Sequence, residues 1–360
     1  MDNLSVLVLG GSVTGGGGVG NHRNLTWHAQ LGTVRPTVHF KNAIDPSYFL
    51  HCTPRFVDHA YDAVVLDLGA NMFGSGSGDA LEALIRRVRC LTNATSTAII
   101  DWHGAIHNNA SRVAAAHTNA TLLDLPRRAH LYDAADRIHP NARGHALIAE
   151  RVRAHLAHLP RDAVGAQTAC AAPSTEACFA LATDLPVDGE ANDWALVDDS
   201  PTPDRTHKYG WATTVSGANL SLAIPPLDTC GAIVTLAYLA SNSTGPFLLS
   251  CSTGCACSPI RNYHQKRLFP FPRVTGHEDC DGSLAGCHKL KITRDTAFDL
   301  LRTSNTSCRV TVTALTSRRV RIDGLYMQSP SEGYVYHIVH SLSSAPQRRF
   351  AERALNTSCG

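Results

Sequence analysis

Ser12 sits just past an apolar run, in S-V-L-V-L-G-G-S-V-T-G-G-G-G-V-G over residues 5–20. A strand followed by a tight turn can present a serine hydroxyl at the carboxyl end of a parallel sheet, where open α/β sheets bind their ligands. A serine used this way needs a base, a carboxylate to orient that base, and donors for a developing oxyanion. D-R-I-H-P at 136–140 supplies the first two, because Asp136 and His139 are three apart and one turn can carry both. Pro140 can start the helix predicted to follow, where its missing N–H costs nothing. V-V-L-D-L-G-A-N at 64–71 ends a buried strand beside Asn71, whose amide N–H₂ can point at an oxyanion. Each piece also has a plain reading: a glycine turn with Ser12 capping a helix, a stray Asp-x-x-His among 19 histidines, and a turn asparagine.

The glycines invite a nucleotide reading, which the surrounding residues disfavour. A P-loop ends in Gly-Lys-Ser/Thr, and no lysine is near. Gly15, Gly17 and Gly20 have the G-x-G-x-x-G spacing but lie well past the strand end, and no acidic residue closes the second strand to hold a ribose.

Taken in order, Ser12 after the first strand, Gly69-Ala70-Asn71 after the third and Asp136-x-x-His139-Pro140 before the last helix resemble the SGNH (GDSL-like) hydrolase family. The resemblance covers roughly residues 4 to 158. It implies a three-layer α/β/α flavodoxin-like fold and ester hydrolysis without metal or cofactor. By the same resemblance Ser12 is the nucleophile, His139 the base and Asp136 its orienter. Ser12 and Asn42 donate backbone N–H groups to the oxyanion, and Asn71 donates from its side chain. Two positions depart from the family pattern. Gly11 stands where an aspartate usually precedes the serine, and K-N-A-I-D-P-S-Y-F at 41–49 has no glycine in the second block, leaving Asn42 as the nearest fit.

The elements that would position these residues alternate in type up to residue 160. S-V-L-V-L-G, T-V-H-F, A-V-V-L-D-L-G, T-A-I-I-D-W and N-A-T-L-L-D-L read as short buried strands. G-D-A-L-E-A-L-I-R-R-V-R-C-L places Leu81, Leu84, Ile85, Val88 and Leu91 on one helical face. N-A-R-G-H-A-L-I-A-E-R-V-R-A-H-L-A-H-L does so with Ala146, Leu147, Ile148, Ala149, Val152 and Leu156. The alternation predicts an α/β layer fold over 1–160. A linker over 161–175 and a Cys-rich β-sandwich over 176–330 are expected to follow. The sandwich reading rests on N-L-S-L-A-I, A-I-V-T-L-A-Y-L, P-F-L-L-S-C, H-K-L-K-I-T, C-R-V-T-V-T-A-L and R-V-R-I-D-G-L-Y-M. A mixed tail spans 331–360.

Twelve cysteines and nine Asn-x-Ser/Thr sequons bear on compartment. The sequons, at Asn3, Asn24, Asn93, Asn109, Asn119, Asn219, Asn242, Asn305 and Asn356, are several times more than sixteen asparagines would place by chance. Cys52 and Cys90 precede residue 160; Cys170, Cys178, Cys230, Cys251, Cys255, Cys257, Cys280, Cys287, Cys308 and Cys359 follow it. All are disulfide candidates in a secreted or secretory-lumen protein whose signal or anchor lies outside these residues. Cys52 and Cys90 can pair within the first domain, Cys170 and Cys178 can close a small loop, and zinc at 251–257 is the lesser alternative. A formal net charge of +2 gives no case for a nucleic-acid surface, and no apolar stretch is long enough to span a membrane. Trp194, Tyr209 and Trp211 can stack on sugars, but two core tryptophans separated by a turn is the simpler reading.

The function expected from the sequence is a serine esterase acting on O-acyl groups, with O-acetyl esters on glycans as candidate substrates. An O-acyltransferase to a sugar hydroxyl would use the same triad. A non-catalytic glycan-binding protein is the alternative of a different class.

Overall fold

The structure, a computed structural model, describes residues 4–20, 22–41, 44, 46–69, 77–101, 108–125, 128–134, 139–159, 177–179, 182–189, 191–199, 209–224, 233–240, 245–252, 255–257, 292–302 and 308–328. The chain divides into two compact units, Met1–Ala171 and Ala172–Gly360.

The first unit is built on five parallel strands: β1 (Val6–Gly10), β2 (Thr37–Phe40), β3 (Ala63–Asp67), β4 (Ser96–Asp101) and β5 (Thr121–Asp124). Their order is β2-β1-β3-β4-β5, with Leu7 opposite Thr37 on one side and Val64 on the other. This is the flavodoxin-like order, and its switch point lies between β1 and β3. Both faces of the three central strands β1, β3 and β4 are buried, which is why these read as unbroken apolar runs, whereas the edge strands β2 and β5 are half-buried or exposed. On one face, Val6, Val8, Val65 and Ile100 meet Ile148, Ala149, Val152 and Leu156 of α4 (Ala142–Ala157). α1 (Pro46–Phe56), α2 (Ser77–Thr92) and α3 (Asn108–Thr118) pack side by side in that order and complete the three layers.

Several details differ from the expectations. Pro140 does not start α4: it bridges to Tyr132, and the helix begins at Ala142 under Asn141. The Asn141 side chain accepts from the backbone N–H of Arg143 and Gly144, as a good N-cap does. Ala146 is exposed, and the buried stripe of α4 contains His145 instead. Leu91 is only half-buried. Helix α1 gives a poor sequence signal because Pro54 lies inside it and Cys52 departs from helical geometry at φ −114°, ψ 15°.

The second unit is a β-sandwich of antiparallel sheets. Its strands are β6 (Ala177–Phe179), β7 (Ala195–Asp198), β8 (Tyr209–Thr213), β9 (Asn219–Ile224), β10 (Ile233–Ala240), β11 (Phe247–Cys251), β12 (Cys255–Cys257), β13 (Ile292–Arg302), β14 (Cys308–Ala314) and β15 (Val320–Gln328). One sheet runs β12-β13-β10-β15-β8-β7 with β6 beside β15; the other runs β11-β14-β9. Leu220, Leu222, Phe247, Leu249, Val310 and Val312 of the smaller sheet face Leu236, Tyr238, Val320 and Ile322 of the larger. The Tyr238 and Phe247 rings meet edge-on at 5.3 Å. The last two residues of H-K-L-K-I-T, Ile292 and Thr293, lie in β13, and its first four lie outside the described residues. Trp194 belongs to this core, whereas Trp211 is half-buried and its indole N–H donates to the Ala182 carbonyl.

Cys52, Cys90, Cys178 and Cys251 are disulfide-bonded, and no free cysteine occurs among the described residues. Cys170, Cys230, Cys280, Cys287 and Cys359 lie outside the described residues, as do sequon positions Asn3, Asn242, Asn305 and Asn356 and the tail 331–360. Among the described residues no helix is long and apolar enough to cross a membrane.

Candidate active site

Strand β1 ends at Gly10, and its neighbour β3 ends opposite it at Asp67. Gly11 N–H donates to the Asp67 carbonyl at 2.9 Å, so the chain leaves the sheet at the switch point. Residues 11–20 then coil in consecutive turns, with Gly15 N–H donating to Gly11 O and Gly17 N–H to Ser12 O. Ser12 is the first side chain after the glycine pair, and it is half-buried.

His139 arrives from the far end of the unit. Its carbonyl accepts from Asp133 N–H at 2.8 Å, and Asn141 N–H donates to Leu131 O at 2.9 Å. The Asn141 side chain also donates to the carbonyls of His130 and Tyr132, so one residue both caps α4 and ties down the segment that carries the histidine. The result is a distance of 2.8 Å between His139 Nε2 and Ser12 Oγ. At that distance the serine hydroxyl can donate to a neutral imidazole, the contact required between a nucleophile and its general base.

The glycine-rich stretch accounts for the close approach. A Cβ on Gly17 would overlap the His139 ring, and one on Gly18 would overlap the Pro140 carbonyl. Gly18 also has φ +88°, in the left-handed region that favours glycine. Gly10 is constrained as well, because a Cβ there would overlap the side chain of Thr14. The run is therefore a bed for residues 139–140, not a phosphate cradle.

Beneath Ser12 lies a polar layer that sequence reasoning missed. Thr14, Trp27 and His145 are fully buried and Asp67 nearly so. Asp67 Oδ2 accepts from Thr14 Oγ1 at 2.6 Å and from Trp27 Nε1 at 3.2 Å. Burial pushes the Asp67 carboxyl up to about 6 against the opposing pull of these donors. His145 Nδ1 accepts from the Trp27 backbone N–H at 3.2 Å, and its Nε2 lies 3.1 Å from the Gly17 carbonyl. Burial lowers the His145 imidazole to about 4. His28 lies 3.0 Å from the Thr14 carbonyl and is also lowered by burial. Two signals existed in the sequence: an acidic residue inside the apolar run A-V-V-L-D-L, and a histidine at helical spacing with Ile148, Ala149 and Val152.

The structure thus brings Ser12 and His139 together. Asp136, Asn42 and Asn71 lie outside the described residues.

No protein-family model and no curated protein matches the chain. Among solved structures, the chain is similar to lipolytic proteins of the GDSL family. One, a putative lipolytic protein of the G-D-S-L family from Desulfitobacterium hafniense, is 14% identical, with 42% of this chain and 99% of that chain covered and a TM-score of 0.35. A carbohydrate esterase family 2 enzyme with a carbohydrate-binding domain, from Corynascus thermopiles, is 17% identical, with 43% and 66% covered and a TM-score of 0.36. A CBM35 domain of Cellvibrio japonicus Abf62 is 14% identical, with 44% and 95% covered and a TM-score of 0.27.

Proposed function

We propose that the first unit is a serine esterase of the SGNH (GDSL-like) type that hydrolyses O-acyl esters, with O-acetyl groups on glycans as candidate substrates. The observation that carries this reading is the 2.8 Å contact of Ser12 Oγ with His139 Nε2 at the β1/β3 switch point. In this mechanism Ser12 Oγ attacks the acyl carbon while His139 Nε2 takes its proton. A tetrahedral oxyanion forms and collapses, and the proton passes to the departing alkoxide. Water, deprotonated by the same imidazole, then releases the acyl group and regenerates the serine. Asp136 would orient His139. The N–H groups of Ser12 and Asn42 and the amide of Asn71 would hold the oxyanion, each such donor typically contributing about 10²–10³ in rate.

The test is covalent labelling. An alkyl fluorophosphonate is expected to modify the native protein once, with the adduct mapped by mass spectrometry to the peptide containing Ser12. Modification elsewhere, or equal modification of Ser12→Ala, removes the serine from the mechanism.

A secretory location is proposed alongside. The five described sequon asparagines, Asn24, Asn93, Asn109, Asn119 and Asn219, are all exposed, and four cysteines are bonded. Asn93 and Asn119 follow the ends of α2 and α3 at φ 56° and 54°. They lead into the amino ends of β4 and β5, so glycans there would sit at the edge of the sheet opposite Ser12. Peptide N-glycosidase treatment of protein made in a eukaryotic secretory host is expected to lower its mass and to convert these two asparagines to aspartate. Unmodified Asn93 and Asn119 in such protein would exclude them as glycan sites.

A further inference from the structure

The layer beneath Ser12 has no step in the proposed hydrolysis, yet it buries a carboxyl group and an imidazole. Burying such groups is costly, and well-packed apolar residues of similar volume often serve stability as well or better. We infer that Asp67 and His145 are positioning residues, which hold Ser12 and His139 in register through a single buried network with Trp27 at its centre. The inference rests on the reading of Ser12 and His139 as the reacting pair.

The Ser12 side of the network comes first. Asp67 accepts from the Thr14 hydroxyl, from the Thr14 backbone N–H and from the Trp27 indole N–H. Thr14 N–H opens the turn that follows Ser12, ahead of the first intra-turn bond from Gly15. A side-chain acceptor at that place does for the turn what an N-cap does for a helix, here supplied from the end of the neighbouring strand. Gly11 cannot supply such an acceptor, having no side chain, so Asp67 fixes the backbone on which the nucleophile stands.

The His139 side is held through the same tryptophan. Trp27 N–H donates to His145 Nδ1, which places the His145 proton on Nε2, where it is donated to the Gly17 carbonyl. One neutral tautomer satisfies both bonds. Gly17 lies against the His139 ring so closely that a Cβ would overlap it. The connection runs from the Ser12 turn through Asp67, Trp27, His145 and Gly17 to His139, and its two ends meet at the 2.8 Å contact. Each member has its hydrogen-bonding capacity directed inward, so loosening one link shifts one reacting side chain relative to the other.

The experiment compares Thr14→Val, Thr14→Ser, His145→Leu and His145→Gln with wild type. The rate of fluorophosphonate labelling and kcat and KM for p-nitrophenyl acetate are read well below each melting temperature and normalised to folded protein. Thr14→Val and His145→Leu are expected to lower kcat and labelling at least about tenfold with KM little changed, since small displacements of reacting groups are costly. Thr14→Ser keeps the hydroxyl and His145→Gln keeps the donor to Gly17, and both are expected to recover most of the loss. If the variants melt earlier but label and turn over within about twofold of wild type per folded molecule, the network is merely structural and the inference fails alone. If wild type does not label at Ser12, the esterase reading fails and takes this inference with it.

Discussion

Gly17→Ala is expected to lower kcat/KM for a p-nitrophenyl ester by about 10² or more while leaving the melting temperature nearly unchanged. Gly17 does not occupy the left-handed region, so alanine fits its backbone. Such a substitution in a compatible conformation tends to stabilise, by about 0.4–1 kcal/mol, through the unfolded state. The obstacle is local. The new methyl would overlap His139 Cδ2 and lie 2.8 Å from its Cγ and Nε2. Gly17 is fixed by two backbone bonds, its N–H to Ser12 O and its carbonyl to His145, so the imidazole is the part that moves. In the proposed mechanism a ring displaced by about an ångström would no longer take the proton from Ser12, and misplacement on that scale costs about 10²-fold. In the proposed mechanism Ser12→Ala sets the floor, because loss of a triad nucleophile costs about 10⁶ in the best-measured case. Gly18→Ala differs: it must adopt φ +88° and collides with backbone at Pro140, so it is expected to lose stability together with activity. Kinetics and thermal melts of the three variants check this. Wild-type turnover in folded Gly17→Ala would mean that the glycine bed does not position His139.

The same contact shows what a sequence reveals about a site and what it conceals. Ser12 and His139 were legible because chemistry constrains their types and their places after a strand and before a helix. The central strands of the parallel sheet were legible because burial on both faces leaves little but apolar residues, as in Val6–Leu9 and Val64–Leu66, while the half-buried edge strands β2 and β5 were legible from shorter apolar runs. Helix α3 was not, because N-N-A-S-R-V-A-A-A-H-T has small residues where an apolar stripe would be. Strands β7 and β8 were hidden by short length and mixed polarity, and it is their antiparallel pairing, from Ala195 with Ala212 to Asp198 with Tyr209, that identifies them. The buried layer was concealed for another reason. Thr14, Trp27, Asp67 and His145 come from four separate segments, and their meeting is a tertiary fact. Even the glycine run, obvious in the sequence, could not be interpreted before its partner was known, since His139 lies on the other side of four strands in the chain.

Acid titration of stability is expected to separate Asp67→Asn from wild type by roughly 2–3 kcal/mol between about pH 6.5 and pH 4. Asp67 is raised from 3.8 to about 6, chiefly by burial. Between those values the folded state takes a proton that the unfolded chain does not, so Asp67 adds stability as pH falls through 6. That contribution is complete below 3.8 and is lost as pH rises again. His145 behaves oppositely. Its imidazole is lowered from 6.5 to about 4, chiefly by burial, with small additional repulsion from His28 and His139. Below 6.5 the unfolded chain takes a proton that the folded protein refuses, so the His145 contribution is present at neutral pH and is lost as pH falls towards 4. The two effects are of similar size and opposite sign over nearly the same window, and they largely offset each other in the wild type. Removing one exposes the other. Asp67→Asn keeps the His145 penalty and is expected to weaken steeply on acidification, whereas His145→Gln keeps the Asp67 gain and is expected to hold or rise. Carboxylates elsewhere, such as Glu82 beside Arg86 and Asp199 beside Arg319 and Arg321, titrate alike in all three proteins. The difference between urea-denaturation profiles therefore isolates the buried pair. Parallel profiles from pH 6.5 to 4 would show that neither group changes its pKa on folding, as solvated side chains would behave, and would overturn the burial of the pair.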